Sequence, residues 1–278
     1  MIQALLFDFD GLLMDTETPE VEIWQEIYAE HGAQFPLNIW LRDVVGSTIS
    51  NFDVAAHLAN ITGKALDLTA IYERAHTLRL ERQARLPAMP GVYAILASAQ
   101  ARGMRMAVVS SSSHAWVDGY LRQLQIASYF QFVICREDAP RLKPAPDLYL
   151  RALRDLQLPP SECLAFEDSP NGVLAARRAG LRVVGVPNPV TAHAGPLQAD
   201  LVLSSLAEMP LEEILRRVAW TSGSQNATGR GALLPAGEQM TSWQAVHPGA
   251  LPRTERVPTC RRQKVPFCRS IFPWRQDD

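Results

Sequence analysis

The chain has 278 residues, 47% hydrophobic and 20% charged, with a formal net charge of -2. That length accommodates a main domain with a large core plus a smaller one, and the near-neutral balance gives nucleic acid or an anionic membrane surface no reason to bind. No stretch approaches the roughly 20 uninterrupted apolar residues of a membrane span, and the N-terminal MIQALLFDFD lacks the basic leader and cleavage-like site of a signal peptide.

A cytoplasmic location is therefore expected. Cys135, Cys163, Cys260 and Cys268 form no CxxC pair, so free thiols in a reducing compartment are expected too.

In chain order, ALLF at 4–7 reads as a buried strand that stops at Asp8. A helix is predicted over 18–31, with Thr18 as its cap, Pro19 in the first helical position and Gly32 at its stop. Residues 33–88 contain no long strand-like run and several amphipathic stretches, one at Ile71–Leu86, so a small all-helical insert is expected. After MPG at 89–91, a helical pattern at Val92, Ile95, Leu96 and Ala99 leads into the strand-like MAVV, which ends at Ser110.

The same alternation recurs at FVIC (132–135), CLAF (163–166) and LRVVGV (181–186), with a last strand expected over 200–205. Short apolar strands alternating with helices predict a doubly wound α/β fold, a parallel sheet covered on both faces. The expected organisation is a core of residues 1–15 and 88–215 and a helical insert of 16–87. From 219 the chain is rich in Gly, Pro, Ser, Thr and Gln, with a net charge of +4 over 221–278, and it reads as a disordered tail.

In open parallel sheets the ligand site lies at the carboxyl ends of the strands. This chain places Asp8-Phe9-Asp10-Gly11, Ser110-Ser111-Ser112-Ser113 and Glu167-Asp168-Ser169 at such ends, with Arg141-Leu142-Lys143-Pro144 in a loop. Converging carboxylates repel unless a cation neutralises them, and hard oxygen donors favour Mg²⁺. With a lysine and hydroxyls beside it, such a cation makes a cradle for a phosphate. An Asp carboxylate can attack phosphorus covalently, and a second carboxylate two residues on can serve as general acid/base. Taken singly, each segment is also an ordinary turn, serine loop or helix start; all four occur in order, at strand ends or in loops.

DFDGLLMDTE (8–17), VVSSS (108–112), LKPAPD (142–147) and FEDSPNG (166–172) resemble the four motifs of the haloacid dehalogenase (HAD) superfamily, over roughly residues 1–210. The resemblance is to its beta-phosphoglucomutase-like phosphatases, which carry a helical cap after the first motif on a Rossmann-like core. It implies Asp8 as nucleophile and Asp10 as acid/base. Ser110 and Lys143 would hold the phosphoryl group, with Ser111 beside them; Asp8, the Asp10 backbone carbonyl and Asp168 would bind Mg²⁺, with Glu167 nearby. The partner implied is a small phosphate ester, and a monomer is expected. Gly46, in the Val45-Gly46-Ser47-Thr48 loop, is similar in place to the family's specificity loop.

Asp10 separates the chain from the dehalogenases, which lack a second aspartate there. Glu20 stands where beta-phosphoglucomutase has a histidine, which favours a hydrolase over a mutase. Lys64 alone is available for the Schiff base of phosphonoacetaldehyde hydrolases. A binding module that has lost turnover is the reading from another class, and the intact charged cluster argues against it. His114 is expected on the surface or as a cap, and Trp24 and Trp116 in packing roles.

Overall fold

A computed structural model of the chain describes residues 1–44, 52–84 and 86–227. Ala4–Phe7, fully buried, forms strand β1; β2 is Arg105–Val109, β3 Phe132–Ile134, β4 Cys163–Glu167, β5 Arg182–Gly185 and β6 Leu201–Val202. They form one parallel sheet in the order β3-β2-β1-β4-β5-β6. From β1 the chain winds outward to β2 and β3, then returns to β4 on the other side of β1. That reversal opens a crevice beyond the carboxyl ends of β1, β2 and β4.

The period-2 alternation of the strands fills two cores. Leu5, Phe7, Met106, Val108, Leu164 and Phe166 face one way, against helices α5 (Val92–Ala101), α6 (His114–Gln123) and α9 (Leu211–Ala227). Ala4, Leu6, Ala107, Val109, Cys163 and Ala165 face the other way, against α7 (Asp147–Leu156) and α8 (Pro170–Arg178). The doubly wound α/β fold is thus as expected. β6 is much shorter than the 200–205 run: it is an edge strand pairing only with Val184 and Gly185, and an exposed edge is safest when short.

Between β1 and α5 lie α1 (Glu17–Glu30), α2 (Leu37–Asp43), α3 (Val54–Thr62) and α4 (Leu68–Gln83). These helices bury their own core of Trp24, Tyr28, Trp40, Leu58, Ile71 and Leu78. The segments leading into and out of them run side by side, the Met89 amide donating to the Leu13 carbonyl at 2.9 Å. Thr18 does not cap α1 but lies inside it, the cap position being Thr16; the Asp15 carboxylate, just before, accepts from the Thr18 amide at 2.9 Å, while Gly32 follows the helix at φ +77°.

The boundary read at 219 falls inside α9, which continues to Ala227. Residues 228–278, with Cys260 and Cys268, lie outside the described residues; Cys135 and Cys163 are free, buried thiols. Among the described residues no helix is long and apolar enough to cross a membrane.

Candidate active site

β1 delivers Asp8 to the crevice: its amide extends the ladder to β4 by donating to the Phe166 carbonyl at 3.0 Å. The Asp8 carboxylate meets the ammonium of Lys143, which also donates to the Val109 carbonyl at 2.8 Å and pairs with Glu167 Oε1 at 2.7 Å. Lys143 is only 5% exposed and Glu167 not at all, so a single buried cation ties together the ends of β1, β2 and β4. The Tyr149 hydroxyl, from α7, donates to the same Glu167 oxygen.

Asp168 sits beside them and accepts from Asn188 Nδ2 at 2.8 Å. Asn188 is itself locked, its Oδ1 accepting from the amides of Val190 and Thr191. Gly11, at φ +78°, passes so close that a Cβ would lie 2.4 Å from Asp168 Oδ2 and 2.3 Å from Asn188 Nδ2. Only glycine fits that position.

Ligand oxygens of Asp8, Glu167 and Asp168 lie within 4.8 Å of one another. One ammonium cannot balance three carboxylates. Burial, aided by Glu167 and Asp10 and opposed by Lys143, pushes the Asp8 carboxyl up to about 8. Burial, with Asp8 and Glu167, raises Asp168 well above the carboxylate range. For Lys143 burial opposes the charge, but Asp8 and Glu167 outweigh it and hold the ammonium above its usual range. Glu167 Oε2 is buried with no hydrogen-bond partner among the described residues. Excess buried negative charge on hard oxygens, one of them unsatisfied, fits a divalent cation.

Asp10 is enclosed by donors. Its Oδ1 accepts from Thr16 Oγ1 at 3.0 Å and from Trp116 Nε1 at 2.9 Å, and its Oδ2 from Ser112 Oγ at 2.5 Å, with Ser110 Oγ at 3.4 Å. Ser110 also accepts the Ser112 amide at 3.0 Å, whereas Ser111 accepts from the backbone of Lys143 and so braces that loop. Trp116, expected in a packing role, is therefore a hydrogen-bond donor to Asp10.

Six of the residues singled out in the sequence, Asp8, Asp10, Ser110, Lys143, Glu167 and Asp168, converge at this point, and Ser111 supports it from behind. Gly46 lies outside the described residues. His114 points elsewhere, its ring bonded to Asp138 at 2.7 Å, and Lys64 is exposed, donating to the His31 carbonyl. Thr16, Ser112, Trp116, Tyr149 and Asn188 were not anticipated. Ser112 is within the VVSSS motif and Thr16 within DFDGLLMDTE; Asn188, in a PNPV turn, carries no sequence signal.

The model of the haloacid dehalogenase-like hydrolases matches residues 5–186. The chain belongs to that family. It is 43% identical over 218 residues to the phosphatase-type protein YhcW of Bacillus subtilis, covering 77% of this chain and 97% of YhcW. It is 33% identical over 201 residues to CbbY of Rhodobacter capsulatus, covering 68% of this chain and 87% of CbbY. Among solved structures, a CbbY variant from Rhodobacter sphaeroides in complex with xylulose-(1,5)bisphosphate superposes with a TM-score of 0.58 at 27% identity, covering 76% of this chain and 98% of that one. The chain is a phosphatase of this family, acting on small phosphorylated metabolites.

Glu167 is seated against glycine. A Cβ at Gly172, in the first turn of α8, would fall 1.8 Å from Glu167 Oε2, and Glu167 cannot retreat while Lys143 and Tyr149 hold it. Gly172→Ala is expected to destabilise the protein by about 1–3 kcal/mol, the usual penalty of overpacking a filled interior. A urea midpoint equal to that of the wild type would contradict the tight seat.

Proposed function

We propose that the chain is a Mg²⁺-dependent phosphomonoesterase for a sugar, polyol or nucleoside monophosphate, working through an aspartyl-phosphate at Asp8. The observation that carries this reading is the pairing of Asp8, buried and held by Lys143, with Asp10 two residues on in its cage of donors. An Asp8 oxygen attacks phosphorus and the ester P–O bond breaks; Asp10 gives its proton to the departing alkoxide. Asp10 then takes a proton from water, whose oxygen attacks the phosphorus of phospho-Asp8 and returns the Asp8 carboxylate with inorganic phosphate.

Trp116 Nε1 is a donor only. Asp10 Oδ1 is therefore fixed as an acceptor, and Oδ2, beside Ser110 and Ser112, is the oxygen that carries the proton. Lys143 and Ser110 bind the phosphoryl oxygens. Asp8, Asp168 and the Asp10 backbone carbonyl would hold the divalent cation, with Glu167 behind them. When bound, that cation supplies the positive charge that lets a carboxylate and a phosphate dianion approach. Helices α1 to α4 act as a cap over the crevice and exclude bulk water during transfer.

A mutase of the beta-phosphoglucomutase type is disfavoured by Glu20, whose carboxylate is engaged by Arg79 and Trp24. The test is phosphate release from a panel of sugar, polyol and nucleoside monophosphates, with Mg²⁺ and with chelator; release only with Mg²⁺ supports the reading, and none from any ester sinks it.

Metal binding also has a pH signature. The folded Asp8 carboxyl, at about 8, lies above its unfolded value near 4. Between those values the unfolded chain ionises first, so the metal-free fold loses stability as pH rises. A bound cation removes that penalty and no longer competes with a proton. Mg²⁺ is therefore expected to raise the melting temperature, and by more at pH 8 than at pH 6; a shift independent of pH would contradict Asp8 as a ligand.

A further inference from the structure

Beyond the phosphate cradle, polar side chains of the cap and core meet in a row leading away from Asp10. Trp116 stacks edge-on against Tyr120 at 4.7 Å between ring centroids, and the Tyr120 hydroxyl donates to Gln83 of α4 at 3.2 Å. One helical turn before Gln83 stands Arg79, which donates from Nε to Glu20 Oε2 at 2.7 Å and from Nη2 to Glu20 Oε1 at 2.6 Å. Trp24 Nε1 adds a third bond to Glu20, at 2.9 Å. Glu20 and Arg79 are each only 4% exposed. Glu17 stands one turn before Glu20 on α1, within reach of the charges of Asp10 and Glu20. Burial raises its carboxyl to about 8, and Asp10, Glu20, Asp15 and Asp8 all push the same way. Glu17 has no hydrogen-bond or ion-pair partner among the described residues.

We propose that this wall recognises the uncharged, hydroxyl-bearing end of a monophosphate ester, and that the pairing of Arg79 with Glu20 excludes a second phosphate from that end. The inference rests on the phosphomonoesterase reading above and narrows its substrate class to hydroxyl-rich monophosphates.

The argument is one of charge. A second phosphate needs an unpaired cation, and both buried cations among the described residues are committed, Lys143 to Asp8 and Glu167, and Arg79 to Glu20. Drawing Arg79 away would strand a buried carboxylate, which is strongly unfavourable. The neutral pair still offers hydrogen bonds, because a guanidinium has five N–H donors and Glu20 accepts only two of them. With the acceptors of Glu17 and Gln83, that suits hydroxyl groups.

The test uses the Mg²⁺-loaded full chain and matched mono- and bisphosphates of hexitols, ketohexoses and ribose, with ethyl phosphate as an ester lacking hydroxyls. In the wild type the best monophosphate is expected to exceed its own bisphosphate by about tenfold or more in kcat/KM, a difference of about 1.4 kcal/mol. It should likewise exceed ethyl phosphate. Glu20→Gln releases Arg79 and is expected to narrow the mono-to-bisphosphate ratio by about tenfold, the two substrates serving as each other's control for a folding defect. A wild type that prefers the bisphosphate, or turns over ethyl phosphate as well as any hydroxyl-bearing monophosphate, overturns the proposal without help from the variant. Equal loss on both substrates in Glu20→Gln overturns the role given to the pair. No phosphate release from any of these esters instead removes the phosphomonoesterase reading, and this proposal with it.

Discussion

Asp8→Asn is expected to lower phosphate release on the order of 10⁴-fold or more, the scale on which covalent enzymes fail when their nucleophile is removed. The amide has nearly the shape of the carboxylate but no electron pair basic enough to attack phosphorus. Stability should move differently. Asp8 is one of three buried carboxylates facing a single ammonium, and Lys143 retains its bonds to Glu167 Oε1 at 2.7 Å and to the Val109 carbonyl at 2.8 Å. Removing one negative charge relieves repulsion, so in chelator the variant should melt no lower than the wild type. Inactivity with an unchanged or raised melting temperature is the expected pair of results. Activity within tenfold of the wild type would refute the role of Asp8, and a collapse in melting temperature would mean that the carboxylate holds the fold together.

Much of this arrangement is legible in the sequence, for a physical reason. A strand buried on both faces is a short apolar run, and the first polar residue after it must emerge at its carboxyl end. Asp8, Ser110 and Glu167, with Asp168 next to it, follow that rule, and parallel pairing brings them together once the order β3-β2-β1-β4 is set. What supports them is less visible. Trp116 and Tyr149 sit on helices among apolar neighbours, where an aromatic residue reads as packing; the single polar atom of each that matters can be found only once the helix is docked. Asn188 comes to Asp168 from 20 positions further along the chain, so no local pattern marks it.

The helix that runs past 219 has a similar origin. Thr221, Ser222, Gly223 and Ser224 are weak helix formers, and alone they would not nucleate a helix. In the chain they extend one already begun, whose Leu211, Ile214 and Val218 are buried in the same core as α5. Extending a formed helix is far easier than starting one, so local composition understates its length.

Asp10→Asn is expected to slow release from an alkyl monophosphate by about 10²–10⁴-fold, the usual worth of a positioned general acid/base. Its cage survives: Asn Oδ1 still accepts from Thr16 and Trp116, and Ser112, whose hydroxyl can turn, accepts from the new amide. What is lost is the proton at Oδ2. The two halves of the reaction then part company with the leaving group. Nitrophenolate leaves without a proton, so with nitrophenyl phosphate the variant should still phosphorylate Asp8, whereas activation of water still needs the missing base. A rapid release of about one nitrophenol per active site, followed by slow turnover, is the burst expected when a covalent intermediate accumulates. If nitrophenyl phosphate is slowed as much as an alkyl ester, with no burst, Asp10 is not the proton carrier, and its cage of hydroxyls and indole serves only to position the backbone carbonyl beside Asp8.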